Sequence, residues 1–220
     1  ASASVTNNSA SIHGNLIGID VDGGSATVSS NHIYDNGTGV RFTNGGSGSV
    51  TGNDFDDTDD NVTDLRIDAS AGAVTIGAGN SFAGDTYFID NRSAQSYDLT
   101  GANAQTYDQS DNFRIEDAMY HALDAASSGR ITWHAANRYV STPGTGASDE
   151  TIQRGINAAD AYDTVHVESG TFTEVVYPNK DGIRVIGQGA GVTTINYEGQ
   201  PQPPGANNGG VYSNKDDVEL

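Results

Sequence analysis

Val28-Ser29-Ser30-Asn31-His32-Ile33, followed by Gly39-Val40-Arg41-Phe42, returns as Val50-Thr51-Gly52-Asn53-Asp54-Phe55, followed by Asp64-Leu65-Arg66-Ile67. The same line precedes it as Val5-Thr6-Asn7-Asn8 with Gly18-Ile19-Asp20-Val21. It follows again as Ile76-Gly77-Ala78-Gly79-Asn80-Ser81-Phe82, with one residue inserted. The asparagines at 8, 31, 53 and 80 step by 23, 22 and 27 residues. Self-similarity at such a period marks a repeat architecture, in which each repeat buries its apolar face only against its neighbours.

Each period holds short runs that alternate apolar and polar residues, separated by Gly, Asn and Asp. Period-2 alternation over three or four residues describes a strand with one face buried, and the separating residues supply turns. Short strands recurring every ~22 residues form one coil of a solenoid with parallel sheets. The fold expected is all-β, a right-handed parallel β-helix with one or two short capping or connector helices. In such a fold Asn31, Asn53 and Asn80, with Asn8 ahead of them, can bond amide to amide from coil to coil as a turn ladder. The alternative is that these asparagines only tolerate left-handed turn geometry.

After about Asp98 the pattern fades. Ile115, Met119, Ala122 and Leu123 recur at helical spacing, Gly129 ends that segment, and Ile131-Thr132-Trp133-His134 starts another strand. Ser141-Thr142-Pro143-Gly144-Thr145-Gly146 reads as a linker or wide turn. Ser148 then caps a helix whose first turn carries Asp149 and Glu150, with Ile152, Ile156 and Ala159 on one face. Strands return at Thr164–Val167, Val175-Val176, Ile183–Ile186 and Thr194-Ile195, and Gln200–Gly205 interrupts them as a loop. Three regions follow: 1–114 as later coils of a β-helix, 115–148 as a connector, and 149–220 as a capping helix with the first coils of a following β-helix.

Residues 149–199 resemble the opening of the pectin-lyase-like β-helix superfamily. The resemblance runs through Thr151-Ile152-Gln153-Arg154-Gly155-Ile156-Asn157-Ala158-Ala159, Asp163–Glu174 and Ile183-Arg184-Val185-Ile186-Gly187-Gln188-Gly189. Residues 1 to about 100 resemble later coils of that superfamily through Asn31–Val40. The resemblance implies a helix covering the solenoid's open end, and a place in large, repetitive, adhesin-like bacterial surface proteins, because ending coils here precede an opening cap. The superfamily's enzymes use Asp and Arg on central coils, and no catalytic set carries over to this chain residue by residue.

Composition narrows the partners. The net charge of −19, with Lys only at 180 and 215, excludes the clustered bases that a phosphate-binding surface needs. The chain has no Cys, hence no disulfide framework and no thiolate metal site. No apolar run approaches the ~18 residues of a membrane span. Ala1 begins no signal-peptide pattern, which leaves an export signal already removed or an excerpt of something longer.

The acidic run Asp54, Asp56, Asp57, Asp59 and Asp60 offers oxygen ligands suited to calcium, without EF-hand or nonapeptide spacing; the alternative is a solvated acidic turn. No cofactor is required otherwise. Arg41 and Arg66 alternate with strand residues and face either solvent or a groove, and Asp20 with Asp22 forms the one carboxylate pair for acid–base work. The five histidines show no paired ligand spacing, and Trp133 with the tyrosines offers stacking surfaces for a polysaccharide. Asn36-Gly37-Thr38, Asn61-Val62-Thr63 and Asn91-Arg92-Ser93 are N-glycosylation acceptor sequences in a glycosylating host. Val5 at one end and Val218 with Leu220 at the other alternate like coil strands without a cap of their own. They are therefore the expected assembly residues, through which the chain stacks on itself head to tail or continues as tandem copies in one long polypeptide. The function expected is a structural or adhesive module, secreted and displayed at the cell surface, and not an enzyme. The alternatives are a fragment of a polysaccharide-processing enzyme and a passive glycan-binding module.

Overall fold

The computed structural model describes residues 1–9, 11–141, 151–201, 209–211 and 213–219. Contacts divide the chain into two compact units, residues 1–111 with 118–133, and residues 112–117 with 134–220. The fold is mostly β, a parallel β-solenoid of about 8 turns with two short helices.

In the first unit the strands are β1 (Ser2–Thr6), β2 (Ile17–Asp22), β3 (Ser25–Ser29), β4 (Thr38–Thr43), β5 (Ser47–Thr51), β6 (Thr63–Ile67), β7 (Val74–Ile76), β8 (Ser81–Phe82), β9 (Tyr87–Asn91), β10 (Tyr97–Asp98), β11 (Thr106–Tyr107), β12 (Met119–Tyr120) and β13 (Ile131–Thr132). One parallel sheet runs β1-β3-β5-β7, a second β2-β4-β6-β9-β12, and short pairs join β8 to β11 and β10 to β13. Register follows the sequence repeat: Val5 lies opposite Val28, Val28 opposite Val50, and Val50 opposite Ile76. Val40, Leu65 and Ile89 align in the second sheet.

Because the register keeps like beside like, apolar residues stack inward in columns. Val28, Val40, Val50, Phe55, Leu65, Ile67, Phe82 and Ile89 are all fully buried. An aromatic column runs Phe55, Phe82, Tyr107, Trp133, with ring centroids 5.3, 6.1 and 6.2 Å apart. Such pairs add roughly 0.5–1.5 kcal/mol each beyond area burial. Trp133 therefore packs against Tyr107.

The helix expected from Ile115 to Leu123 is much shorter: α1 spans Asn112–Asp117. Met119 and Tyr120 instead extend the second sheet beside Ile89 and Asp90. Met119, His121 and Leu123 are buried at alternate positions, a period of 2 that resembles helical spacing when Ile115 is counted with them. Gly129 is not a helix stop. A Cβ there would lie 2.0 Å from the Gln95 carbonyl oxygen, so the glycine marks a close approach between neighbouring coils.

The second unit holds α1, β14 (Asn137–Val140), β15 (Thr164–Val167), β16 (Gly170–Phe172), β17 (Arg184–Ile186), β18 (Thr193–Ile195) and α2 (Ile152–Ala158). Its sheets run β14-β15-β17 and β16-β18, all parallel. Ile152, Ile156 and Ala159 pack into a core with Val140, Val165, Val167, Phe172, Val176, Ile183 and Val185. Of the expected connector, residues 118–133 group with the first unit and 115–117 and 134–141 with the second. The linker residues 142–146, the expected cap Ser148 with Asp149 and Glu150, and loop residues 202–205 lie outside the described residues.

Thr151 caps α2, its Oγ1 accepting from the Arg154 amide at 3.2 Å. The acid at the helix start comes through space. Glu174 accepts from the Ile152 and Gln153 amides at 2.8 and 3.0 Å. At the other end Lys180 Nζ donates to the Ile156, Asn157 and Ala159 carbonyls. A short helix, marginal alone, is thereby clamped at both termini with charges that complement its dipole.

Candidate functional site

The most organised polar feature is a pair of amide ladders in the first unit. Asn8 Nδ2 donates to Asn31 Oδ1 (2.7 Å), Asn31 Nδ2 to Asn53 Oδ1 (2.9 Å), Asn53 Nδ2 to Asn80 Oδ1 (3.1 Å), and Asn80 Nδ2 to Gln105 Oε1 (2.9 Å). At each step the backbone amide of the same asparagine donates to the same oxygen. Asn31, Asn53 and Asn80 also donate to the carbonyls of Val5, Val28 and Val50 respectively. The rungs therefore satisfy the backbone amides of the turn asparagines and add a bond to strand carbonyls of the coil before, while the amide-to-amide chain itself runs one way, each Nδ2 donating to the side-chain oxygen of the next coil.

A second ladder was not anticipated. Asn15 Nδ2 donates to Asn36 Oδ1 at 3.1 Å and Asn36 Nδ2 to Asn61 Oδ1 at 2.9 Å, over sequence steps of 21 and 25 residues. It ends on Asp64, whose Oδ1 accepts from Asn61 Nδ2 at 2.9 Å and whose Oδ2 accepts from the Ala83 and Gly84 amides at 2.8 Å each. Burial pushes the Asp64 carboxyl up to about 8, against those three donors. The signal was present in the sequence, as an Asn two residues ahead of Ile17, Thr38 and Thr63. Gln105, closing the first ladder, breaks the residue type while keeping the amide.

On the outer face of the second sheet, Asp20, Arg41, Arg66, Asp90 and Tyr120 fall in one row by register. Arg41 grips Asp20 with Nε and Nη2 at 3.1 and 2.8 Å. Arg66 reaches Asp68 at 2.7 Å and Asp90 at 3.2 Å; Arg92 meets Asp90 at 2.9 Å and lies 4.3 Å over the Tyr120 ring. Burial raises the Asp90 carboxyl, with Arg92 and Arg66 pulling it back. Asp22, the expected partner of Asp20 in acid–base work, accepts from Asn44 Nδ2 at 2.9 Å. Arg41 with Asp20 and Arg66 with Asp90 thus pair across neighbouring coils.

The acidic turn distributes its carboxylates among separate partners. Asp54 accepts from the Asp56 amide at 3.3 Å, Asp57 meets His32 at 3.1 Å, and Asp60 accepts from the Asp57 amide at 3.3 Å. Asp59 contributes its carbonyl to the Asp35 amide at 2.9 Å. Burial raises Asp60, the Asp57 amide lowers it, and Asp56, Asp85 and Asp108 add repulsion. Among the described residues no three or more His, Asp or Glu side chains converge in an arrangement that holds a metal ion.

Of the assembly residues, Val5 is half-buried opposite Val28, and Val218 packs against the second unit's core. Glu219 pairs with β17, its amide donating to the Ile183 carbonyl at 3.2 Å; Leu220 lies outside the described residues. In β1 the Asn7 amide donates to Ser29 and the Ala1 carbonyl accepts from Ser25, so odd-numbered residues face β3. The free edge belongs to Ser2, Ser4 and Thr6. No helix among the described residues is long and apolar enough to cross a membrane. No family model, no curated protein and no solved structure matches this chain, so what stands is the parallel β-solenoid of about 8 turns that its own hydrogen bonds define.

Proposed function

We propose that this chain is a structural module of an extended extracellular β-solenoid, stacking head to tail into a fibre or surface array. On this reading it belongs to the pectin-lyase-like type found in large repetitive surface proteins. The supporting observation is the direction of the two ladders. From rung to rung, each side-chain oxygen accepts from the ladder amide of the coil before it, and each ladder amide donates to the side-chain oxygen of the coil after it. Asn8 and Asn15, at the head, have side-chain oxygens that accept no hydrogen bond among the described residues. They stand beside half-buried Val5, Ile12, Ile17 and Ile19 and the free edge of β1. That face matches the chemistry of another coil. Polysaccharide processing is the competing reading, and the pairing of Asp20 with Arg41 and of Arg66 with Asp90 weighs against it.

Light scattering over a concentration series of the 220-residue chain tests the stacking. The average mass rises with concentration, and Ser4→Pro, which removes an outward amide while sparing the bonds to β3, lowers it. A wild type that stays monomeric throughout overturns self-stacking.

A further inference from the structure

Glycosyl transfer to asparagine requires a free side-chain amide within Asn-x-Ser/Thr, and the ladders consume such amides. Asn36 is 3% exposed, and Asn61 and Asn91 are fully buried. Their Nδ2 atoms are all engaged: Asn36 with the Ile12 and Tyr34 carbonyls and Asn61 Oδ1, Asn61 with Ile33 and Asp64, Asn91 with Gln95 and Gly129. An amide nitrogen carries two hydrogens, and in each case both have acceptors. Replacing one with a sugar breaks a buried bond and forces a bulky polar group between coils packed at about 4.8 Å.

A fourth sequence, Asn7-Asn8-Ser9, has the opposite geometry. Asn7 is exposed and sits at φ 59, in the left-handed region that asparagine tolerates. Its backbone amide is held by Ser29 at 3.0 Å, and among the described residues its side-chain amide makes no hydrogen bond.

We infer that Asn7 is this chain's fold-compatible acceptor for N-linked glycan, and that Asn36, Asn61 and Asn91 accept glycan only before their coils close. The donor is a lipid-linked diphospho-oligosaccharide. Asn7 Nδ2 forms a bond to sugar C1, the bond from C1 to the phosphate oxygen breaks, the lipid diphosphate leaves with the electron pair, and Nδ2 gives up one proton. Attachment in the unfolded chain at 36 or 61 removes a rung, and at 91 it removes the buried bonds to the Gln95 and Gly129 carbonyls, so the coil is blocked in each case.

The test uses the folded, unmodified chain and four synthetic peptides spanning the four sequences, each incubated with an oligosaccharyltransferase and its lipid-linked donor, with sites mapped by mass spectrometry. All four peptides accept, whereas the folded chain accepts at Asn7 alone and Asn7→Gln abolishes its modification. Rates at the other three sites fall about 100-fold or more below their peptides, because reaction there needs a coil to open against its packing. Modification of folded chain at Asn36, Asn61 or Asn91 at peptide-like rates overturns the inference, and so does a folded Asn7 that refuses glycan while its peptide takes it.

Discussion

Replacing Asn53 with alanine removes a middle rung. Its Oδ1 accepts from the Asn31 amide and Nδ2 at 3.1 and 2.9 Å, and its Nδ2 serves the Val28 carbonyl at 3.0 Å and Asn80 Oδ1 at 3.1 Å. The site is 1% exposed, so water does not replace these partners without opening the coil. Leaving the Asn31 amide without its acceptor and taking a donor from the Val28 carbonyl costs roughly 1–3 kcal/mol for each buried group, so about 2–6 kcal/mol in all. That is a large share of the 5–15 kcal/mol typical of a whole domain. Asn8→Ala is the control, because Asn8 is exposed and its side chain makes one bond, to Asn31. It costs about 1 kcal/mol, the net worth of a single hydrogen bond. Urea unfolding followed by the fluorescence of Trp133, the only tryptophan and a member of the first unit's aromatic column, reads both variants in the right unit. Equal shifts for the two, or a cost below about 1 kcal/mol at Asn53, would refute the claim that the ladder is a two-sided buried network.

Gly48→Ala is the most disruptive glycine change: φ is +136 there, and a Cβ would lie 1.8 Å from the Ala26 carbonyl oxygen. It unpairs β3 from β5 and costs more than about 3 kcal/mol, seen as loss of cooperative unfolding by circular dichroism. Asp64 sets a pH dependence. Its folded carboxyl is pushed up to about 8 from an ordinary 3.8, so the fold favours its protonated form. That contribution is fully present below about pH 4 and is lost as pH rises through about 8, at up to 1.4 kcal/mol per pH unit. Urea midpoints therefore decline from pH 5 to 8, and Asp64→Asn flattens the decline; parallel profiles for the two proteins would refute it. Glu174→Ala frees the Ile152 and Gln153 amides at the start of α2 and costs about 1–2 kcal/mol in the second unit, measured by hydrogen exchange at Val165 and Val185.

The period of the first half was legible because parallel coils put equivalent residues in register, and register is what an alignment of Val28 with Val50 reads. The rungs at Asn31, Asn53 and Asn80 followed from the same alignment. The Asn15, Asn36 and Asn61 series was harder to see, since the residues two places on are Ile17, Thr38 and Thr63, which do not share one apolar type. Beyond Asp98 the strands shrink to two residues, as at β10 to β13, too short for alternation to declare itself. There the chance spacing of Ile115, Met119 and Leu123 imitates a helix. Glu174 and Lys180 lie 22 and 24 residues from the α2 groups that they clamp, so no local capping rule could find them. The outer row was half visible, as Arg41 and Arg66 at matching positions, but their partners Asp20 and Asp90 emerge only when the coils are stacked.

The distribution of charge explains why the rungs are amides. Side chains that stack in a parallel sheet repeat about every 4.8 Å, and two like unit charges at that spacing repel by about 3.5 kcal/mol even at an effective dielectric constant near 20. A ladder of aspartates would therefore oppose coil formation at every step, whereas an amide supplies donor and acceptor to both neighbours without charge. The chain carries 29 acids, yet the interior rungs at Asn31, Asn53, Asn36 and Asn61 are all neutral. Acids occupy positions where stacking stops or is compensated. Asp64 stands at the end of its ladder, facing two backbone amides of the next coil in place of another carboxylate. Asp90 lies buried in the outer row between Arg66 and Arg92, and Asp20 is gripped by Arg41. Exposed carboxylates such as Asp54, Asp56 and Asp59 sit on a turn, where solvent screens them. In a chain of net charge −19, the ladder and outer-row contacts between coils of the first unit thereby stay neutral or paired.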